Sequence, residues 1–423
     1  MKGNGLSSLG KRTQSPPISW LMAAALETPG LISLAAGFTD NPSLPVRETR
    51  ELLRGLLKSN SRGQHALQYG TTAGDAELRR LTSRHLAGQD GVPVKSRTHA
   101  PERMMITHGS QQLLYIVTEV LCDEGDIVLV EDPTYFVFLG ILQSHGLHGR
   151  GLRVDRDGID LAHLAETLER LKRAGELPRL KALYMVSHFS NPTGITTGYD
   201  RKAGALKLLR KYESAAGHPI YLIEDAAYRE LRFAGPDVTS ALLADPLGER
   251  VIYAGTYSKP FATGVRIGFG LLPEPVLTAA LRVKGNHDFG TSHFLQQLIA
   301  RAMASGAFTD HLSVLRRRYA SKAAAMGKAL RAHMPGGVEW SEPNGGLYYW
   351  VRVPASVKVD MDSALFQAAL RHKVIYVPGN LCYTPDRAGK IPNHEMRVSF
   401  GGASIADIAK GVARLGKALD EVF

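Results

Sequence analysis

Six short apolar runs, Met104–Thr107, Asp126–Glu131, Ala182–Ser187, Ile220–Asp225, Val251–Ala254 and Ile267–Leu271, constrain this chain more than anything else in it. Helix-forming stretches such as Asp75–His85, Ser110–Cys122, Leu161–Ala174 and Arg201–Ala215 fall between them. Strands that read as nearly continuous apolar runs are buried on both faces, and intervening helices are what cover them. The expected fold is therefore α/β, with a mostly parallel sheet flanked by helices. Past a long helical region near Ser292–His333 the texture changes. Gly346–Val353 alternates like a half-buried strand, Ser363–His372 reads as helix and Met396–Phe400 as strand. This tail predicts a smaller α+β domain. The expected division is an N-terminal arm over 1–50 that joins the small domain, a large domain over 51–310 and a small C-terminal domain over 311–423. Within the arm, residues 1–17 read as loose, and 18–45 as a short helix followed by irregular chain.

Composition excludes several classes. The 423 residues carry 51 Lys+Arg against 40 Asp+Glu, a formal net charge of +11. The basic residues are scattered through helical patterns, as in Arg316-Arg317-Arg318, so they predict a solvated surface and no nucleic-acid partner. The same bias favours anionic small molecules. Two cysteines, Cys122 and Cys382, are too few for a disulfide framework or a structural zinc site, and they fit a reducing cytoplasm. The start lacks the apolar stretch of a secretory signal. No apolar run reaches the roughly 18 residues a membrane helix needs, since the stretch from Trp20 to Leu26 is cut short by Glu27 and Pro29. No metal site is expected: His145 and His148 have a ligand spacing but no partners near them in sequence. Gly268-Phe269-Gly270 lacks the strand-then-helix setting of a dinucleotide fingerprint.

Four elements at the ends of predicted strands carry chemistry. Thr256-Tyr257-Ser258-Lys259 is followed by Gly264-Val265-Arg266. Two hydroxyls and a guanidinium can converge there on one phosphate while the Lys259 amine meets an aldehyde. Arginine offers two parallel donors to phosphate, and an amine held among cations and desolvated has a depressed pKa, which suits Schiff-base formation. Thr107-His108-Gly109-Ser110-Gln111 lies between a strand and a helix, where free backbone N–H groups bind anions and glycine admits a phosphate closely. Ser190-Asn191-Pro192-Thr193-Gly194 is a turn former that places an amide donor at a strand end. In Glu224-Asp225-Ala226-Ala227-Tyr228 a carboxylate ends a very apolar strand, a position that demands a partner. Strand ends of this kind are where ligands sit in open α/β sheets.

With these elements in this order, the chain resembles the class I/II aminotransferases of pyridoxal 5′-phosphate (PLP) fold type I, over nearly its whole length. The resemblance implies that Lys259 carries the cofactor covalently, Asp225 holds the ring nitrogen, and Asn191 and Tyr228 hold the ring oxygen. It assigns Gly109, Ser110, Gln111, Thr256, Ser258 and Arg266 to the phosphate, Tyr135 to stacking on the ring, and Tyr69 to the phosphate of a partner subunit, hence a homodimer. Arg397, in Met396-Arg397-Val398-Ser399-Phe400, is the expected clamp for a substrate α-carboxylate, with Gly37 near the same group and Asn191 contributing. His188 is a further candidate for substrate contact, against a packing role. Asn344-Gly345-Gly346-Leu347 and Val377-Pro378-Gly379 resemble small-domain landmarks of the family. The implied partners are an amino acid and a 2-oxo acid. The pattern Trp20–Gly37 is similar to that of enzymes acting on 2-aminoadipate, aromatic or branched-chain amino acids.

Ala36-Gly37-Phe38-Thr39-Asp40-Asn41 departs from the family's usual glycine-glycine and leucine-proline pairs, and Ser190 stands where glutamine or asparagine is common. Both departures bear on the substrate side chain rather than on the chemistry. The same constellation also supports β-elimination by a carbon–sulfur lyase, or decarboxylation, because an electron sink does not dictate which bond breaks. A PLP module sensing effectors in a transcription regulator is the alternative of another class. It would need a DNA-binding domain of roughly 70 residues or more ahead of the module, whereas the resemblance to the enzymes begins by about residue 15.

Overall fold

A computed structural model describes residues 5–386 and 389–423; the first four residues of the predicted arm lie outside them. The large sheet has eight strands, in the order Met104–Thr107, Gly268–Leu271, Val251–Thr256, Tyr221–Asp225, Leu180–Val186, Ile127–Asp132, His148–Asp155 and Gly158–Ile159. Five consecutive strands, from Val251–Thr256 to His148–Asp155, are parallel. Gly268–Leu271 is antiparallel to both its neighbours, and Gly158–Ile159 folds back on His148–Asp155.

Alternation along each strand divides the apolar residues between two cores. In Leu180–Val186, Ala182, Tyr184 and Val186 join one cluster, while Leu183 and Met185 join the other. The second cluster is closed by helices Leu161–Arg173 and Tyr199–Ala216, through Leu164, Leu168, Leu206 and Leu209. The first is continuous with the apolar interior of the C-terminal region. That region contains a four-stranded antiparallel sheet ordered Glu339–Trp340, Tyr348–Arg352, Glu395–Ser399, Val377–Pro378, backed by helices Ala364–Arg371 and Ile405–Asp420.

Ile32–Ser33 pairs in parallel with Val374–Ile375, which ties the N-terminal segment to the C-terminal region. Part of the stretch read as loose is helical: Ser8–Arg12 is capped by the Ser7 hydroxyl, and Arg12 pairs with Glu124 at 2.7 Å. The boundary expected near 310 falls in the first turn of the 27-residue helix Ala307–His333. Lys322 on this helix is buried and donates to both Asp40 Oδ1 (2.6 Å) and the Gly401 carbonyl (2.7 Å), and Arg318 donates to Asp40 Oδ2 (2.6 Å). Among the described residues no helix is long and apolar enough to cross a membrane.

The glycines of Gly268-Phe269-Gly270 serve packing. Helix Gly109–Leu121 lies against this strand so closely that a Cβ on Gly268 would sit 2.4 Å from the Gly109 carbonyl carbon and from the Ser110 nitrogen. Backbone cannot move aside as a flexible side chain can. Gly268→Ala is therefore expected to lower unfolding free energy by about 1–3 kcal/mol, the usual cost of overpacking. Urea denaturation followed by circular dichroism measures it; a variant as stable as the parent would contradict this packing.

Candidate active site

Strand Tyr221–Asp225 ends in two adjacent buried carboxylates, and alternation sends them to opposite faces of the sheet. Glu224 meets the Lys202 ammonium at 2.8 Å, the Ser187 hydroxyl at 2.7 Å and the Ala241 N–H at 2.6 Å. Asp225 has the Tyr184 hydroxyl at 2.9 Å and the Ala227 N–H at 3.1 Å. It enters no ion pair among the described residues, and burial, only partly offset by these two donors, pushes its pKa up to about 6. A carboxylate so placed lacks a cation.

Cations that enter no ion pair among the described residues line the same cavity, whose volume is about 290 Å³. Lys259 follows the strand Val251–Thr256, and its Nζ donates to the Gly37 carbonyl at 2.9 Å. Burial first, then the positive charges of Arg397 and Arg266, push its pKa down to about 8. Arg266 has left-handed backbone angles (φ 50°) and reaches the Ser258 hydroxyl at 3.4 Å. A Cβ on Gly109 would meet its guanidinium at 2.7 Å. The glycine thus leaves room for Arg266 beside the first N–H groups of helix Gly109–Leu121, with Ser110 and Gln111 on the cavity wall. The Thr256 hydroxyl accepts from the Ser258 N–H (3.1 Å) and donates to the Ile267 carbonyl (3.2 Å), which fixes the turn before the lysine.

The opposite end of the cavity is built by the C-terminal sheet. Arg397 is 1% exposed. It donates to Asn191 Oδ1 and to the Ala35 carbonyl, both at 2.6 Å, and its Nε has no hydrogen-bond partner among the described residues. Its guanidinium lies over the Tyr348 ring, 4.3 Å from the centroid. Because Asn191 accepts through its oxygen, its NH₂ is the group left to donate elsewhere. The Tyr228 and Tyr348 hydroxyls are 2.9 Å apart.

Lys259, Asp225, Asn191, Tyr228, Thr256, Ser258, Arg266, Ser110, Gln111, Tyr135, Gly37 and Arg397 all line this one cavity, and Gly109 stands directly behind it. Tyr69 does not reach it: the side chain is 83% exposed and packs edge-on against Phe289, with centroids 5.4 Å apart. His188 is also outside, buried between the Ser187 hydroxyl and the Val238 carbonyl, each at 2.8 Å. Burial depresses its pKa well below the ordinary value, so it packs as a neutral ring. His145 rests against Tyr115, and His148 faces Asp386 at 3.0 Å. Sequence reasoning missed Tyr348, Phe136 and Val137, and met the other apolar wall residues, Met22 and Phe38, only within the segments it linked to the substrate. Tyr348 lies within a strand that its alternation reveals, and only the pairing with Ser399, beside Arg397, turns it toward the cavity.

PLP fits this cavity on physical grounds. An uncompensated carboxylate matches a protonated ring nitrogen, and an amine of depressed pKa matches an aldehyde. The helix start, Arg266 and two hydroxyls match a phosphate. A guanidinium with an orphaned, buried Nε is left over for a second anion.

Comparison with known proteins agrees. The 2-aminoadipate transaminase of Thermus thermophilus is 33% identical over 398 residues, covering 93% of this chain and 91% of that protein. Aromatic-amino-acid aminotransferase 1 of Thermococcus litoralis is 30% identical, covering 94% and 89%. The crystal structure of alpha-aminoadipate aminotransferase from Thermus thermophilus, complexed with N-(5′-phosphopyridoxyl)-L-leucine, superposes with a TM-score of 0.83 at 32% identity, over 99% of this chain and 97% of that one. The family described as aminotransferase class I and II matches residues 29–415. On fold, sequence and cofactor alike, the chain belongs to the class I and II aminotransferases and is a PLP-dependent transaminase of fold type I.

Proposed function

We propose that this enzyme transfers the amino group of an L-amino acid of aminoadipate, aromatic or branched-chain type to a 2-oxo acid such as 2-oxoglutarate, by a ping-pong mechanism. The observation that carries the reading is the charge pattern of one cavity: a lysine of lowered pKa, a carboxylate without a cation and a buried guanidinium with a free N–H. The relatives named for aromatic amino acids and 2-aminoadipate support the substrate group. The apolar wall of Met22, Phe38 and Val137 supports the aromatic and branched-chain members of it.

When bound, PLP supplies the aldehyde that takes the amino group and the ring that absorbs the electrons released at Cα. The residues do the rest. Asp225 keeps a proton on the ring nitrogen, for which its own carboxylate must be ionised; a cation there lowers the raised pKa of the free carboxyl. Asn191 Nδ2 and the Tyr228 hydroxyl donate to the ring oxygen. Ser110, Gln111, Thr256, Ser258 and Arg266 hold the phosphate, and Tyr135 covers the ring face. Arg397 binds the substrate carboxylate and so presents Cα to Lys259. The Nζ, once freed, would take the Cα proton and return it at the cofactor carbon that bore the aldehyde, and its lowered pKa favours the neutral form this requires. Departure of the first oxo acid before the second enters makes the kinetics ping-pong.

The reading includes a cytoplasmic homodimer. Cys122 and Cys382 are free thiols, as a reducing compartment would keep them. Leu67 (69% exposed), Tyr69 and Phe289 (55% exposed) place apolar surface together outside the cavity, which supports contact with a second copy and entry of Tyr69 into its phosphate site.

Four outcomes are expected. Adding a donor amino acid to the cofactor-loaded protein should convert the bound absorbance to that of pyridoxamine phosphate with release of the oxo acid, and 2-oxoglutarate should restore it. Lys259→Ala should lack the starting band, and ammonia release from a β-substituted substrate would instead favour elimination. Because only the neutral amine adds to an aldehyde, reconstitution of apoprotein with PLP should accelerate as pH rises through about 8 and then level off; acceleration that continues to about pH 10, the ordinary lysine range, would show an unshifted lysine. In sedimentation the holoenzyme should run as a dimer, with a monomer contradicting the placement of Tyr69.

A further inference from the structure

Tyr348 belongs to none of the roles assigned so far, yet it joins two of them. Its side chain is 2% exposed. Its ring supports the Arg397 guanidinium at 4.3 Å, and its hydroxyl is 2.9 Å from that of Tyr228. The two rings meet edge to face, with centroids 5.6 Å apart at 76°. The hydroxyl position is enforced from the other side as well, since a Cβ on Gly37 would fall 2.7 Å from it. A glycine at 37 is what admits the tyrosine oxygen.

A hydroxyl carries one proton and can accept through its lone pairs. If Tyr228 gives its proton to the ring oxygen of PLP, its own oxygen becomes the acceptor in the 2.9 Å contact, and Tyr348 must be the donor. In the opposite sense Tyr228 would point its proton at Tyr348 and offer the ring oxygen only lone pairs. Chained hydroxyls polarise one another, so a donor behind Tyr228 also strengthens the bond it makes in front. The other ring-oxygen donor is set in the same manner, for Arg397 occupies Asn191 Oδ1 and leaves the NH₂ to donate.

We propose that Tyr348 is a positioning residue that aims the Tyr228 proton at the cofactor ring oxygen, acting from the face of the carboxylate-binding arginine. The proposal rests on the reading that Tyr228 contacts that oxygen. Stronger donation to the ring oxygen draws electron density from the ring and lowers the proton affinity of the Lys259 nitrogen attached beside it. Loss of the Tyr348 hydroxyl therefore raises the pH at which the bound cofactor changes colour. Phenylalanine keeps the ring under Arg397, so the substitution removes the hydroxyl and leaves the guanidinium's aromatic support in place.

The test is an absorbance titration of the PLP-loaded protein and of Tyr348→Phe, Tyr228→Phe and the double variant. The midpoint of Tyr348→Phe is expected to move upward by roughly half a pH unit, a fraction of one hydrogen bond. Tyr228→Phe should move it further, and adding Tyr348→Phe to Tyr228→Phe should move it no more, because no proton remains to be aimed. A midpoint that shifts in Tyr228→Phe but not in Tyr348→Phe overturns the proposal and leaves the ring-oxygen reading intact. A midpoint unmoved in both removes the reading and the proposal with it. Equal, additive shifts mean that Tyr348 acts on the cofactor independently of Tyr228, which also overturns it.

Discussion

A carboxylate buried at the end of a parallel strand without a cation is the constraint from which the rest of this structure follows. Burial of an unpaired charge is among the costliest things a fold can do, and proteins meet it by pairing the group or by protonating it. At Glu224 the chain takes the first course with Lys202. At Asp225 it takes neither fully, since the pKa rises only to about 6 and, among the described residues, two neutral donors address the group. The same cavity holds Arg266 and Arg397, whose charges add to burial in disfavouring the charged form of Lys259. Such an arrangement is complementary to a molecule that is cationic at one end, anionic at the other and aldehydic between.

The cavity is assembled from chain segments far apart in sequence. Gly37 comes from the N-terminal segment, Asp225 and Lys259 from the centre, Tyr348 and Arg397 from the C-terminal sheet. The segment bearing Gly37 and Phe38 is secured by Asp40, gripped by Arg318 and Lys322 of the long helix, and Lys322 also holds the Gly401 carbonyl just beyond Arg397. One helix thus fixes both the segment whose carbonyl receives Lys259 and the loop that follows Arg397. Contacts of such large sequence separation form slowly, because loop closure must precede them.

Most of this was legible in the residues, for reasons that differ by element. The central strands could be read because burial on both faces leaves unbroken apolar runs, and the motif residues because each sits at the end of such a run. His148–Asp155 was not seen as a strand: it lies near the sheet edge, carries Arg150 and Arg153, and lacks both an apolar run and a clean alternation. Helix Phe136–His145 was missed because it is apolar nearly all round and shows no period. The antiparallel course of Gly268–Leu271 is a matter of pairing, and its glycines report the proximity of helix Gly109–Leu121, distant in sequence, which no local pattern reveals. Tyr348 escaped for a related reason, since alternation shows that a strand has two faces but not which one meets a cavity.

The adjacency of Glu224 and Asp225 has a consequence for how errors in folding would be felt. Side chains alternate with a period of two, so a slip of the strand by a single residue would turn each carboxylate to the face the other now occupies. The longer one would enter the cavity and the shorter would strain toward Lys202, while Leu222 and Ile223 traded cores. A misregistered molecule would lose stability and chemistry in the same stroke. Quality control of the fold and fitness of the catalyst are, at this strand, a single checkpoint.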